Sequence, residues 1–249
     1  MYLNTKGLVV RVVPYNDTDA LLSILTPEHG KLTVKARGLR RKNSPLIAPC
    51  QLLAYGDFVL FEYRNMYTIN EAHSVELFSA LRKDLQKLSL GSYFAQAAEI
   101  MSQEDLPNPE LLSLVLNCLY ALAKLPVSES MVKSVFELRS ACLAGYTPEL
   151  YGCYRCGNEA PDRFDISEGR LECSACRSYE STGLRLPVTA GMLDAMRYIC
   201  NCDSRKLFSF TASEKTFEDL SYVTESYLST QLERGFSALD FYKSLLIPM

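Results

Sequence analysis

The strongest constraint on the fold is a pair of cysteine knuckles. Cys153-Tyr154-Arg155-Cys156 is followed, after 16 residues, by Cys173-Ser174-Ala175-Cys176. Two residues between paired cysteines let both sulfurs meet one ion while the backbone turns around it, and two such pairs complete a tetrahedral thiolate site. Gly157 follows the first knuckle and permits its tight turn. Between the knuckles, Phe164-Asp165-Ile166 and Arg170-Leu171-Glu172 can pair across Ser167-Glu168-Gly169 as a short hairpin. A redox CxxC needs a single pair on a thioredoxin-like unit, so the spacing favours zinc. Four thiolates leave no vacant coordination position, which makes the expected Zn2+ structural rather than catalytic. A deaminase-type site would need HxE before PCxxC, and the two histidines, His29 and His73, stand in no such pattern.

The other five cysteines, Cys50, Cys118, Cys142, Cys200 and Cys202, read as core thiols. The CxC pair Cys200 and Cys202 has metal binding as its alternative reading. Nine cysteines is an odd number, and residues 1–6 lack the basic-then-apolar order of an export signal, so a disulfide framework is not expected. The most apolar run, Leu111 to Ala123, is too short for the roughly 20 residues that span a bilayer. A cytoplasmic protein with no membrane partner is expected. Net charge is −3, or about −5 with four zinc thiolates, which excludes a globally basic nucleic-acid binder but not a locally basic one.

Hydrophobic periodicity divides the chain. Residues 7–13, 20–25, 31–37, 58–63 and 67–72 are short β-branched or alternating runs joined by turn residues, as in a small barrel or sandwich. From Leu77 the period changes, and Leu77, Leu81, Leu85 and Leu88 predict one helix face. Pro109-Glu110 opens a buried helix that Pro126 closes, and Ser128 caps another that ends at Gly145 and Pro148. Past residue 185 the helical period returns through Phe217, Leu220, Val223, Tyr227 and Leu228.

A second signal is charge. Between Glu28 and Asp57 there is no acidic residue, and the window holds Lys31, Lys35, Arg37, Arg40, Arg41 and Lys42. In a strand, Leu32, Val34 and Ala36 would face the core while Lys31, Thr33, Lys35 and Arg37 line the other face. Arg40, Arg41 and Lys42 would extend the positive stripe into a loop suited to a phosphate backbone. Tyr15, Tyr55, Tyr63 and Tyr67 are available to stack on bases. The same pattern suits a solvated strand face with edge-guarding lysines, and the segment alone favours neither reading. GxGxxG, P-loop, HExxH and GxSxG motifs are all missing, so no catalytic residues are nominated.

The order of parts is similar to one known family. The run Gly30-Lys31-Leu32-Thr33-Val34-Lys35-Ala36-Arg37-Gly38-Leu39-Arg40-Arg41 precedes Phe136-Glu137-Leu138-Arg139 and Leu143-Ala144-Gly145-Tyr146-Thr147-Pro148-Glu149-Leu150. These lead directly into the four-cysteine cluster. Over residues 1 to about 185 the chain resembles the bacterial RecO family of DNA repair and recombination mediators. Arg177 stands where family members often have Gly. The resemblance implies an α+β multidomain protein: an N-terminal OB-fold β-barrel over 1–78, then an all-α helical domain over 79–150 and 184–249. A four-cysteine zinc finger over 151–183 is inserted in that helical domain. It also implies binding of single- and double-stranded DNA, annealing of complementary strands, and work with RecR. Binding to the C-terminal tail of single-stranded DNA-binding protein, and indirect help to RecA, complete the implied partners. For that tail, Lys133 and Arg139, flanking Val132, Val135 and Phe136, are the candidates, with ordinary solvated helix charges as the alternative. The expectation is a non-enzymatic mediator, cytoplasmic and nucleoid-associated when engaged on DNA. The rival is a zinc-ribbon protein-interaction subunit that does not bind DNA directly.

Overall fold

Five strands close into a barrel around a shared apolar core, with buried positions alternating most regularly over residues 30–36. In the computed structural model, which describes residues 1–64, 66–176 and 183–247, these are β1 (Tyr2–Pro14), β2 (Ala20–Thr26), β3 (Gly30–Ala36), β4 (Tyr55–Tyr63) and β5 (Met66–Glu76). The strand order is β1-β2-β3-β5-β4, and β4 returns to β1. β1 serves both neighbours: its first half pairs with β4 (Tyr2↔Phe61 to Leu8↔Tyr55) and its second half with β2 (Leu8↔Leu25 to Pro14↔Ala20). A register shift between Val9 and Arg11 bends the strand from one partner to the other. Gly7 faces Gly56 across the β1–β4 pair, and a Cβ on Gly56 would run into the His73 carbonyl. β3 and β5 close the barrel in parallel through two rungs, Val34↔Tyr67 and Lys35↔Thr68. Inside lie Val9, Leu22, Ile24, Leu32, Val34, Phe58 and Leu60, with Cys50 among them. This is the small, closed, OB-like barrel the resemblance implied.

The chain forms two compact units. The first takes Met1–Lys124 together with the stretch from Phe236, and the second is Leu125–Gly235. In the first, the barrel is accompanied by α1 (Leu85–Met101), α2 (Pro109–Lys124) and α6 (Ser237–Leu245). The helix expected from Leu77 begins later. Phe78 has φ +45°, a 3-10 turn covers Leu81–Lys83, and Asp84 caps α1 by accepting from the Gln86 and Lys87 N–H groups. Leu85, expected on the apolar face, is therefore exposed, and the buried face runs through Leu90, Tyr93, Phe94, Ala97 and Ala98. α6 packs on α1: the Tyr93 and Phe236 rings meet edge-on at 5.2 Å. Gln96 donates to Ser237 Oγ at 3.0 Å and accepts from the Ala238 N–H at 3.0 Å, a cap that the Phe236 side chain cannot supply.

The second unit is built on α3 (Glu129–Leu143), α4 (Ala190–Asn201) and α5 (Glu214–Gln231). Ser128, Thr189 and Ser213 cap the three, each accepting a backbone N–H three residues on. Gly145, at φ +92°, follows the end of α3, where the sequence placed the stop. The expected hairpin is present as β6 (Arg163–Asp165) and β7 (Arg170–Glu172), with a third strand β8 (Arg185–Pro187) added on the other side of β6. Phe164 of β6 meets Tyr227 of α5 edge-on at 5.2 Å, and Gln231 donates to the carbonyls of Ile166 and Ser167. These contacts fasten the small sheet to α5.

Candidate metal centre and basic loop

The four cysteines of the two knuckles converge. The Sγ atoms of Cys153, Cys156, Cys173 and Cys176 all lie within 4.8 Å of one another, against an edge of about 3.8 Å for a zinc tetrathiolate with bonds near 2.3 Å. Each knuckle turns back on itself: the Gly157 N–H donates to the Cys153 carbonyl at 2.8 Å and the Cys176 N–H to that of Cys173 at 3.0 Å. Backbone N–H groups also aim at sulfur, the Cys173 N–H reaching Cys153 Sγ at 3.3 Å, and Asn158 donates to Cys173 Sγ at 3.3 Å. Burial raises the Cys153 thiol, but the N–H groups around it outweigh that and bring it down to about 6. Four convergent sulfurs, N–H donors aimed at Cys153 and Cys173, and no other ligand type among the described residues form a set fitted to one soft or borderline metal ion. Arg177, with residues 178–182 of the expected 151–183 segment, lies outside the described residues.

An ion-pair frame holds the knuckles against the sheet. Glu172, fully buried, accepts from Arg155 Nε and Arg185 Nε, both at 2.6 Å, and Arg185 also meets Asp165 at 3.0 Å. Asp165 in turn accepts from the Ser167 and Glu168 N–H groups, shaping the β6–β7 turn. Sequence reasoning passed over this frame. Its trace was there, in charges set immediately before a ligand in each knuckle: Arg155 before Cys156 and Glu172 before Cys173.

The basic segment alternates as expected, with Leu32, Val34 and Ala36 buried. The continuous positive stripe is not there. Lys31 is half-buried, with Nζ 3.4 Å from the Glu99 carbonyl of α1 and its own N–H bonded to the Gln103 carbonyl. Thr33 beside it donates to Glu104 at 2.9 Å, so acidic groups adjoin this part of β3. Lys35 is paired with Asp19 at 3.1 Å and lies 4.7 Å from the centre of the Tyr15 ring. What stays exposed is Arg37, Arg40, Arg41 and Lys42. Asp19 anchors the turn between Arg37 and Arg40. It accepts from the Gly38 N–H at 2.9 Å and from Thr18 and Asn16, while Arg40 donates to the Asn16 carbonyl at 2.6 Å. The Gly38 and Asn16 donors, with Lys35, hold the Asp19 carboxyl far below the usual carboxylate range. Exposed Val12, Tyr15 and Ile47 lie on the same unit, and Val12, Leu39, Arg40 and Ile47 line one opening of about 270 Å³.

The two residues singled out for a partner's acidic tail are used internally. Lys133 is buried, paired with Glu137 at 2.9 Å and Glu225 at 2.8 Å and donating to the Ser221 carbonyl. Arg139 donates to the carbonyls of Ile199 and Cys200 at 3.2 and 2.6 Å. Val132, Val135 and Phe136 are core residues. Spacing of three to four residues on a helix identified a shared face correctly, but that face packs on α5 and α4, where charge is tolerated because each cation finds an acceptor. Cys50 and Cys118 are buried, and burial pushes the Cys50 thiol up to about 12. Cys142, Cys200 and Cys202, expected in the core, are only half-buried. Among the described residues no helix is long and apolar enough to cross a membrane.

The chain thus belongs to a two-part class of protein, a closed OB-like barrel with a basic loop followed by helices that carry a four-thiol module. Residues 1–78 match the family model described as Recombination protein O N terminal, and residues 82–240 match Recombination protein O C terminal. The chain is 34% identical to the DNA repair protein RecO of Acetivibrio thermocellus over 98% of its length and 97% of the relative's. It is 31% identical to that of Alkaliphilus metalliredigens, over 98% and 100%, and 28% identical to that of Bacillus pumilus, over 91% and 88%. The chain belongs to the RecO family.

Proposed function

We propose that this chain is a non-enzymatic DNA-binding mediator of repair and recombination. The observation that carries the reading is the cluster of exposed cations Arg37, Arg40, Arg41 and Lys42, set about the turn that Asp19 anchors at the end of β3 and unmatched by any acidic residue between Glu28 and Asp57. Such a cluster neutralises phosphates and releases their counterions, without reading base sequence. It would act on single- and double-stranded DNA alike. Holding two strands on one protein raises their effective concentration and speeds pairing with no covalent step.

In this reading residues 1–78 are the DNA-binding segment, 151–183 the zinc finger, and 79–150 with 184–249 the helical part. Zn2+ is the ion proposed for Cys153, Cys156, Cys173 and Cys176. Once bound it would supply a cross-link between the two knuckles, while Arg155, Glu172 and Arg185 orient them from the protein side. RecR, the tail of single-stranded DNA-binding protein and, indirectly, RecA remain the proposed partners, on the family resemblance. The proposed location is the cytoplasm, at the nucleoid during repair. The test is a salt titration of single-stranded DNA binding by the purified protein. A log–log slope of several units supports the reading, since each phosphate neutralised adds roughly 0.7 on single strands. A flat response favours an interaction subunit that does not touch DNA.

A further inference from the structure

Cys142 and Cys200 form a second thiol site, separate from the knuckles. Cys142 lies in the last turn of α3 and Cys200 in the last turn of α4, and their sulfurs are 3.6 Å apart. Arg139 fixes the two helix ends in register, one turn before Cys142, by donating to the carbonyls of Ile199 and Cys200. Both sulfurs belong to half-buried residues. We propose that Cys142 and Cys200 are a redox-active pair that a hydroperoxide converts to a disulfide linking α3 to α4.

The surroundings favour division of labour between the two. A hydrogen bond shared with Cys200 lowers the Cys142 thiol to about 7 against its burial, helped by Thr147 and the Arg139 guanidinium. The same hydrogen bond pushes Cys200 far up, so the pair shares one proton near neutrality. Cys202, just beyond the end of α4, and Tyr227 of α5 are the other titratable groups that feel the pair, with the Arg139 guanidinium. A thiolate at Cys142 with a protonated neighbour in reach is the arrangement that peroxide oxidation requires.

The electron count closes with hydrogen peroxide as the oxidant. The Cys142 thiolate attacks one peroxide oxygen, the O–O bond breaks, and hydroxide leaves and is protonated to water. Cys142 is then a sulfenic acid. The Cys200 sulfur attacks the sulfenic sulfur, the S–S bond forms, the S–OH bond breaks, and hydroxide leaves with the Cys200 proton as a second water. Two thiols lose two electrons and one peroxide is reduced.

The experiment treats the full, zinc-loaded chain with one equivalent of hydrogen peroxide, then alkylates and digests it with trypsin and a glutamate-specific protease. That digest isolates Cys142 in residues 140–149 and puts Cys200 with Cys202 in residues 198–205. The expected product is these two peptides joined, with two fewer free thiols than the nine of the sequence and no zinc released to a chromogenic chelator. The link should persist in Cys202→Ser. In Cys200→Ser, Cys142 should instead be trapped as a dimedone adduct. Oxidation of the knuckle cysteines first, a link that disappears in Cys202→Ser, or no link and no adduct at Cys142 would each overturn the proposal. None of these outcomes depends on DNA binding.

Discussion

Asp19 accepts the backbone N–H of Gly38 at 2.9 Å, which ties the β1–β2 loop to the residue where β3 hands over to the basic loop. Gly38 has φ +67°, so the turn is one that favours glycine, and the carboxylate fixes its direction. One acidic side chain in this way anchors the turn on either side of which the exposed cations lie.

Asp19→Asn should therefore lower stability and weaken DNA binding together. The sign of its pH dependence follows from the depressed carboxyl. A group held below its unfolded value contributes fully above about pH 4 and loses its contribution as the pH falls further. Denaturation midpoints of wild type and variant should differ at pH 7, draw together gradually as the pH falls below the ordinary carboxyl value, and converge only in strong acid, well below pH 3. A gap that persists in acid would place the effect elsewhere.

Arg37→Ala, Arg40→Ala and Arg41→Ala combined should weaken single-stranded DNA binding for all sequences alike and reduce the salt slope by about 0.7 for each phosphate no longer neutralised. Lys31→Ala and Lys35→Ala should leave the slope unchanged, because those cations are engaged with the Glu99 carbonyl and Asp19. An equal reduction from both sets would restore the full strand face as the DNA-binding surface.

Cys153→Ser should abolish binding of the metal and raise amide exchange around the knuckles, since closed sites contribute folding energy directly. The barrel has its own core in the other unit, so its strand signal should survive. Far-UV dichroism and exchange mass spectrometry read both; loss of the β signal would contradict the separation.

Lys133→Met should cost about 3–5 kcal/mol, the usual range for breaking a buried pair by removing one partner. It leaves Glu137 buried without its cation and with Glu225 nearby. Burial already raises the Glu137 carboxyl in the wild type. A raised folded value means stability is gained as the pH falls toward it, so the variant should be more stable at pH 5 than at pH 8. Urea titrations at the two values measure this, and an inverse trend would show that Glu137 is not the residue responsible.

Local signals in the sequence were legible where one residue type at one spacing admits few structures. The knuckle spacing led to a single cluster, Ser128 to a cap, and the alternation of β3 to a buried face. What escaped was set by distant partners. Lys31 and Lys35 read as exposed because nothing near them in sequence announces Glu99 or Asp19. Lys133 read as a surface charge because Glu137, four residues on, suits an exposed helix pair equally well, and its second acceptor Glu225 stands far along the chain, on α5. Leu85 was misplaced for a local reason: three- and four-residue spacing continues through Leu77, Leu81, Leu85 and Leu88, yet the chain turns at Phe78 and again at Asp84. Periodicity records which residues are apolar and is silent about such breaks.

The pairing of α1 with α6 has a consequence for synthesis. Tyr93 emerges from the ribosome early, whereas Phe236 and the Gln96-capped helix behind it come on the order of a hundred residues later. At ordinary translation rates that is a wait of about 10 s. The second unit, contiguous in the chain, has all its parts before the first does. The domain that starts first is thus completed last, and until then one side of its aromatic core is open to chaperones.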